Sequence, residues 1–173
     1  MEITKKEPEM VPYLALLLSA VLAFLDQMVK VAVYNWLRPV GDLPLIEGVI
    51  HLTYLENRGM AFGMMEGQKW LLIWVTAFVL FLLIAAIILG KIRKTSTLVT
   101  TAVIIGGGVG NLIDRVYRGY VIDYINLEII NFAIFNLADI CVTCGTAVLL
   151  VILAREMSQE EKETKSRKAA KGD

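Results

Sequence analysis

Residues 70–89 read WLLIWVTAFVLFLLIAAIIL, twenty residues interrupted only by Thr76. About 20 consecutive apolar residues is the helix length that crosses a hydrocarbon core of about 30 Å. This stretch makes the chain an integral membrane protein, and the composition agrees. Of 173 residues, 57% are hydrophobic and 20% charged, where soluble domains average about 45–50% apolar. The charges are segregated: residues 1–10 and 155–173 hold 16 of the 34 (5 + 11), which leaves 18 for the other 144 positions. Working outward, 11–33 and 132–154 repeat the pattern of a span. Residues 98–113 are the weakest run, carrying Thr100, Thr101, four glycines and Asn111. The expected fold is membrane all-α: four transmembrane helices in one domain over residues 1–154. A charged cytoplasmic tail, 155–173, is expected as a frayed helix or disordered end.

Orientation follows from lysine and arginine in the flanks. One side carries Lys5, Lys6, Lys91, Arg93, Lys94 and six more in the tail. The other carries Lys30, Arg38, Arg58, Lys69, Arg115 and Arg118. The split of 11 to 6 predicts both termini in the cytoplasm and an outer loop over 34–68. The first run is read as a retained span: Val21-Leu22-Ala23 is a poor cleavage site, and the apolar stretch resumes beyond Lys30. Within the outer loop, Ile50-His51-Leu52-Thr53-Tyr54-Leu55 alternates as a strand does. Val121-Ile122-Asp123-Tyr124-Ile125 has strand composition too, so a small extracytoplasmic β-element is expected on the membrane surface. A formal charge of zero gives no basic excess for nucleic acid. One histidine and two cysteines offer no metal-ligand set, and Cys141-Val142-Thr143-Cys144 inside an apolar span reads as packing. Gly106 and Gly110, four apart, suit close helix approach.

An acid in a span costs about 2.5–3.5 kcal/mol on insertion scales and suggests function. The spans place the polar residues together at their outer ends. Asp26 and Lys30 are i,i+4 and pair on one face. Asn111 shares a face with Asp114 and Arg115, and Asn136 shares one with Asp139; Asp114 has Arg115 beside it as a base. Asp123 and Asp139 have no Lys or Arg within four residues. Two such carboxylates converging in a low dielectric share one proton and titrate as a coupled pair. That arrangement activates water against a peptide carbonyl: one carboxylate takes the water's proton, and its protonated partner hydrogen-bonds the carbonyl. The residues alone leave two alternatives open. A small proton-coupled transporter or channel also uses intramembrane acids, though it needs them through the whole membrane thickness. A non-catalytic bundle would use them only to hold helices together.

The order of the motifs resembles the lipoprotein signal peptidases, also called signal peptidase II. Four blocks carry the resemblance: Asp26-Gln27 with Lys30; Asn57-Arg58-Gly59-Met60-Ala61-Phe62-Gly63; GGVGNLIDRVYRGYVIDYI from Gly107 to Ile125; and Phe135-Asn136-Leu137-Ala138-Asp139. The resemblance covers roughly residues 11–154. It implies an aspartic endopeptidase of the bacterial cytoplasmic (inner) membrane, acting at the outer face. Its substrates would be prolipoproteins already diacylglycerated in the bilayer, cut just before the lipidated cysteine. Asp123 and Asp139 would be catalytic. Asn57, Gly59, Asn111, Arg115, Asn136, Asp26, Asp114 and Ala138 would bind substrate or support the pair. The resemblance further implies inhibition by the cyclic peptide globomycin; no metal or cofactor is expected, since no ligand cluster is present, and a monomer in contact with lipid is expected. Met60, Ala133 and Tyr124 depart from the commoner Ala, Pro and Phe of the family, and Ala133 bears on how the fourth helix begins.

Overall fold

The computed structural model describes residues 10–59, 67–130 and 132–170, with side chains to 166. Residues 60–66, which include Met60 and the last four residues of the second motif block, lie outside it, as do Lys5 and Lys6. Four helices are long and apolar enough to cross a membrane: α1 (Val11–Trp36), α2 (Lys69–Ile88), α3 (Thr95–Tyr117) and α4 (Leu137–Ala170). Three strands, β1 (Asp42–Ile46), β2 (Ile50–Asn57) and β3 (Val121–Asn126), form an antiparallel sheet in the order β1-β2-β3. A 3-10 turn, Glu128–Ile130, precedes α4.

Helix α3 is central because its glycines let the other three helices come close. A Cβ on Gly106 would meet Leu22 and the Ser19 carbonyl of α1; one on Gly107 would meet the Ala138 carbonyl and Cys141 of α4; one on Gly108 would meet Leu80 of α2. Gly110 sits against the Asp26 carboxylate, so Gly106 and Gly110 do make the close approach their spacing suggested. Without a hydrophobic driving force inside lipid, such packing and interhelical hydrogen bonds hold the bundle. Ser19 Oγ, for example, donates to the Ala102 carbonyl at 2.9 Å. The buried face of α1 runs Ala15, Ser19, Ala23, Asp26, Lys30, a helical spacing that delivers small residues and then an ion pair to α3. Leu17, Phe24, Phe78, Phe81 and Leu150 face outward. Trp36, Trp70, Trp74 and Tyr117, all exposed, cluster at the sheet's end of the bundle, as aromatic residues do at a membrane–water interface.

The observed elements differ from the sequence reading in three places. Helices α1 and α3 run past their expected ends at 33 and 113, because Asp26, Lys30, Asn111 and Asp114 are satisfied inside the bundle and do not terminate a helix. Helix α4 begins at Leu137, not at 132, because Phe135 is drawn into the sheet: its N–H donates to Ile125 and its carbonyl accepts from Tyr124 and Ile125. The tail expected to fray continues α4 to Ala170 with no buried face among its described side chains. The two expected strands form, and β1 joins them as an edge strand, the position in a sheet that tolerates Pro44. His51 lies in β2, its ring nitrogens 2.9 Å from Asp42 and 2.7 Å from Glu128. Gly119 turns α3 into β3 with φ +84, a left-handed conformation that suits glycine; Arg118 and Gly119 N–H both donate to the Asp114 carbonyl. That turn leads directly into β3, the strand that carries Asp123.

Candidate active site

Two buried networks meet at the sheet's end of the bundle. The first is ionic. Lys30, fully buried, reaches Asp26 at 2.8 Å and Asp114 at 3.0 Å, and Arg118 pairs with Asp114 one turn on. Two acids and two bases therefore balance, which a buried cluster needs, since one unpaired buried ion costs several kcal/mol. Gln27 joins through the Gly110 carbonyl at 3.0 Å and Asp114 at 3.3 Å. The acids also position backbone. Asp26 accepts the Ala138 N–H at 3.2 Å and Asp114 accepts the Ile122 N–H at 3.1 Å. Asp26 thus fixes the start of α4, and Asp114 fixes the strand residue beside Asp123.

The second network surrounds Asp123 and Asp139. Asp123 accepts from Asn57 Nδ2 at 2.8 Å and Asn136 Nδ2 at 2.6 Å. Asp139 accepts from Asn111 Nδ2 at 2.7 Å and from the Asn136 N–H at 3.0 Å. The Asp139 N–H in turn donates to Asn136 Oδ1 at 3.0 Å, so Asn136 and Asp139 form a reciprocal cap on α4. Tyr124 Oη accepts the Leu137 N–H at 3.2 Å. The helix start is therefore set by Tyr124, Asp26 and Asn136, with Ala133 in place of proline. One residue, Asn136, bridges the two acids.

Both carboxylates line a cavity of about 550 Å³ with Asn57, Arg115 and the apolar side chains of Val121, Leu127, Ile130, Phe132, Phe135 and Ile140. Ala133 and Cys144 also reach this wall. A second cavity of about 320 Å³, between α2, α3 and α4, shares Arg115, Asp139 and Thr143 with the first. Burial, then repulsion from Asp139, pushes the Asp123 carboxyl up to about 7; Asn57, Asn136 and Lys30 pull it back. Near neutral pH the Asp123 carboxyl therefore passes between its protonated and ionised forms. Among the described residues no group of three His, Cys, Asp or Glu is placed to hold a metal ion.

Of the residues the sequence singled out, Asp123, Asp139, Asn57, Asn111, Asn136 and Arg115 come together. Asp26, Asp114 and Ala138 stand behind them, and Ala138 is buried between α3 and α4. Gly59 links two members: its N–H donates to Asn57 Oδ1 at 2.9 Å and its carbonyl accepts from Arg115 at 3.2 Å. One pairing is corrected. Arg115 is not the partner of Asp114; adjacent positions on a helix point about 100° apart, and Asp114 faces Lys30 and Arg118 while Arg115 faces the cavity. The i,i+4 spacing of Asp114 and Arg118 was the signal that could have found it. Gln27 and Tyr124 also had no assigned contact before the structure. No Asp or Glu lies at 11–25, 70–88, 95–113 or 140–154, so a proton relay through the membrane has no acid to step to.

The sequence profile of the family described as signal peptidase (SPase) II matches residues 18–155. A lipoprotein signal peptidase of Halothermothrix orenii is 42% identical over 134 residues, 77% of this chain and 90% of that one. One of Caldanaerobacter subterraneus is 41% identical over 137 residues, 79% and 92%. A solved structure described as a bacterial membrane enzyme superposes with TM-score 0.76 at 26% identity, covering 84% of this chain and 90% of that one.

Proposed function

The chain belongs to the signal peptidase II family, the lipoprotein signal peptidases, and on that premise we propose that Asp123 and Asp139 are its catalytic pair. The protein is an aspartic endopeptidase whose substrate is a prolipoprotein. The observation that carries the assignment is Asn136, which donates its side-chain amide to Asp123 and its backbone N–H to Asp139 across one cavity. With one proton between them, one carboxylate takes a proton from water as the oxygen attacks the scissile carbonyl. The protonated partner hydrogen-bonds the carbonyl and then protonates the departing amine.

The remaining assignments follow from where these groups lie. A diacylglyceryl-modified precursor keeps its acyl chains in the bilayer and lays its peptide under the sheet. The bond before the lipidated cysteine then lies at the depth of Asp123 and Asp139. The apolar cavity walls accept side chains of the signal peptide, and Asn57, Gly59 and Arg115 form the polar rim that orients its backbone. Residues 1–154 make one peptidase domain, and 155–173 form its tail. The excess of lysine and arginine at the opposite helix ends supports a topology with both termini in the cytoplasm of a bacterium and the site at the outer face of the inner membrane. A globomycin-type cyclic peptide competes for the same cavity, and a monomer surrounded by lipid contains the whole site.

The test is processing of a lipidated precursor in proteoliposomes by Asp123→Asn and Asp139→Asn. Each variant is expected to insert and fold, because asparagine keeps the shape and an acceptor oxygen, and to leave the precursor uncut. Full cleavage by either folded variant would overturn the assignment.

A further inference from the structure

Three asparagines touch the catalytic pair, and each is built in the same way. Asn57 turns its amide nitrogen to Asp123 while its Oδ1 accepts the Gly59 N–H at 2.9 Å. Asn136 turns its nitrogen to Asp123 while its Oδ1 accepts the Asp139 N–H at 3.0 Å. Asn111 turns its nitrogen to Asp139 while its Oδ1 accepts from Lys30 Nζ at 2.8 Å. The two ends of a carboxamide have nearly the same shape, and a half-turn about the last bond exchanges donor for acceptor. The partner at the far end therefore decides which end meets the carboxylate. For Asn57 and Asn136 that partner is a backbone N–H. For Asn111 it is a side chain.

Lys30 suits this role because an ammonium has three donors and no acceptor. Asp26, Asp114 and Asn111 take all three, at 2.8, 3.0 and 2.8 Å, and the group is sealed from solvent. The pair with Asp26 lies within α1, and the bond to Asp114 already ties α1 to α3. The third bond points toward the site. Asn136 Nδ2 carries two N–H groups: one donates to Asp123 at 2.6 Å and the other to Asn111 Oδ1 at 3.2 Å, a longer and uncharged bond beside the 2.8 Å one from Lys30.

We propose that Lys30 is a positioning residue for the cleavage reaction: by occupying Asn111 Oδ1 it holds the Asn111 amide nitrogen on Asp139. The proposal rests on Asp123 and Asp139 being the catalytic pair. With Lys30 removed, only the longer Asn136 bond at 3.2 Å holds Asn111 Oδ1, and in the turned amide a lone pair faces the carboxylate where a donor stood. Substrate still binds, because Lys30 lines neither cavity; the chemical step suffers.

A charge-balanced variant tests this. Lys30→Met/Asp26→Asn removes one charge of each sign, leaves Asp114 with Arg118, and keeps an oxygen at position 26 for the Ala138 N–H. Asp26→Asn alone is the reference. On a lipidated precursor in proteoliposomes, per folded enzyme, kcat is expected to fall about ten- to a hundredfold below the reference, the loss of one charge-assisted hydrogen bond. KM should stay within about twofold. A role confined to stability would lower Tm and leave kcat per folded molecule unchanged, and that result overturns the proposal. If the double variant does not fold, Lys30→Gln decides: its amide can present either end to Asn111, so kcat should again fall, and a wild-type kcat refutes the idea. Failure of every Lys30 variant to fold would also overturn it, making Lys30 a support of the bundle alone. Cleavage by Asp123→Asn would instead defeat the catalytic reading beneath it.

Discussion

Replacing Gly107 by alanine should damage catalysis through packing alone. A Cβ at this position would stand 2.8 Å from Cys141 Cβ and 3.1 Å from Val142 Cγ2, and still nearer the Ala138 carbonyl oxygen. That oxygen is backbone and cannot rotate away, so α4 must retreat from α3. Restoring an ordinary contact of 3.4 Å to Cys141 needs at least about 0.6 Å (3.4 − 2.8). The bond from Asn111 to Asp139, 2.7 Å now, would open to about 3.3 Å (2.7 + 0.6), beyond the usual range for N–H···O. A misplacement of 1 Å costs about a hundredfold in rate, so about 0.6 Å should cost about tenfold in kcat. Overpacking adds a stability loss of about 1–3 kcal/mol. The control is Gly106→Ala, whose Cβ would meet Leu22 Cβ at 2.7 Å and the Ser19 carbonyl at 3.0 Å. The overlap is similar, but it falls on α1, away from Asp139. Turnover of a lipidated precursor per folded enzyme, with Tm in detergent, separates the two. Both variants should lose Tm, and Gly107→Ala should lose more kcat, since α1 reaches Asp139 only indirectly, through Lys30 and Asn111. Equal kcat losses, or a Gly107→Ala variant that matches wild type, would refute the reasoning.

With the Asp123 carboxyl pushed up to about 7, the pair keeps its shared proton below that pH and loses it above. A pH profile of kcat/KM should therefore fall about tenfold per unit on the alkaline side, starting near 7. The same shift governs stability. The folded value lies above the ordinary 3.8, so the contribution is complete below about 3.8 and is withdrawn as pH rises through about 7. Thermal unfolding of Asp123→Asn should accordingly gain on wild type between about pH 4 and 7, with a flat difference above. Arg115→Ala should abolish most cleavage while lowering Tm little, because Lys30 and Arg118 already compensate Asp114; a large drop in Tm would show that Arg115 supports the fold. Turnover should not change when EDTA is added, and inhibition by EDTA reversed by zinc would contradict a metal-free pair.

The membrane class, the four spans and the gathering of polar residues at one end were legible in the amino-acid order. Hydropathy is a local property, and the bilayer sets how long each apolar run must be. The motif blocks were legible too, since Asp26 and Lys30, or Asn136 and Asp139, lie one turn apart on a single helix. Contacts between elements were decided by the tertiary structure. Asp114 answers Lys30 and Arg118 and turns away from its neighbour Arg115, because the rotation of α3 is set by glycines packed on three helices. Phe135 leaves the fourth apolar run for the sheet, because β3 offers it a hydrogen-bonding edge. Asp123 and Asp139, sixteen residues apart, are joined through Asn136 only once the turn at Gly119 and the cap of α4 are both in place. Hydrogen bonds between elements depend on distance and direction in space, which neighbouring residues in the chain do not encode.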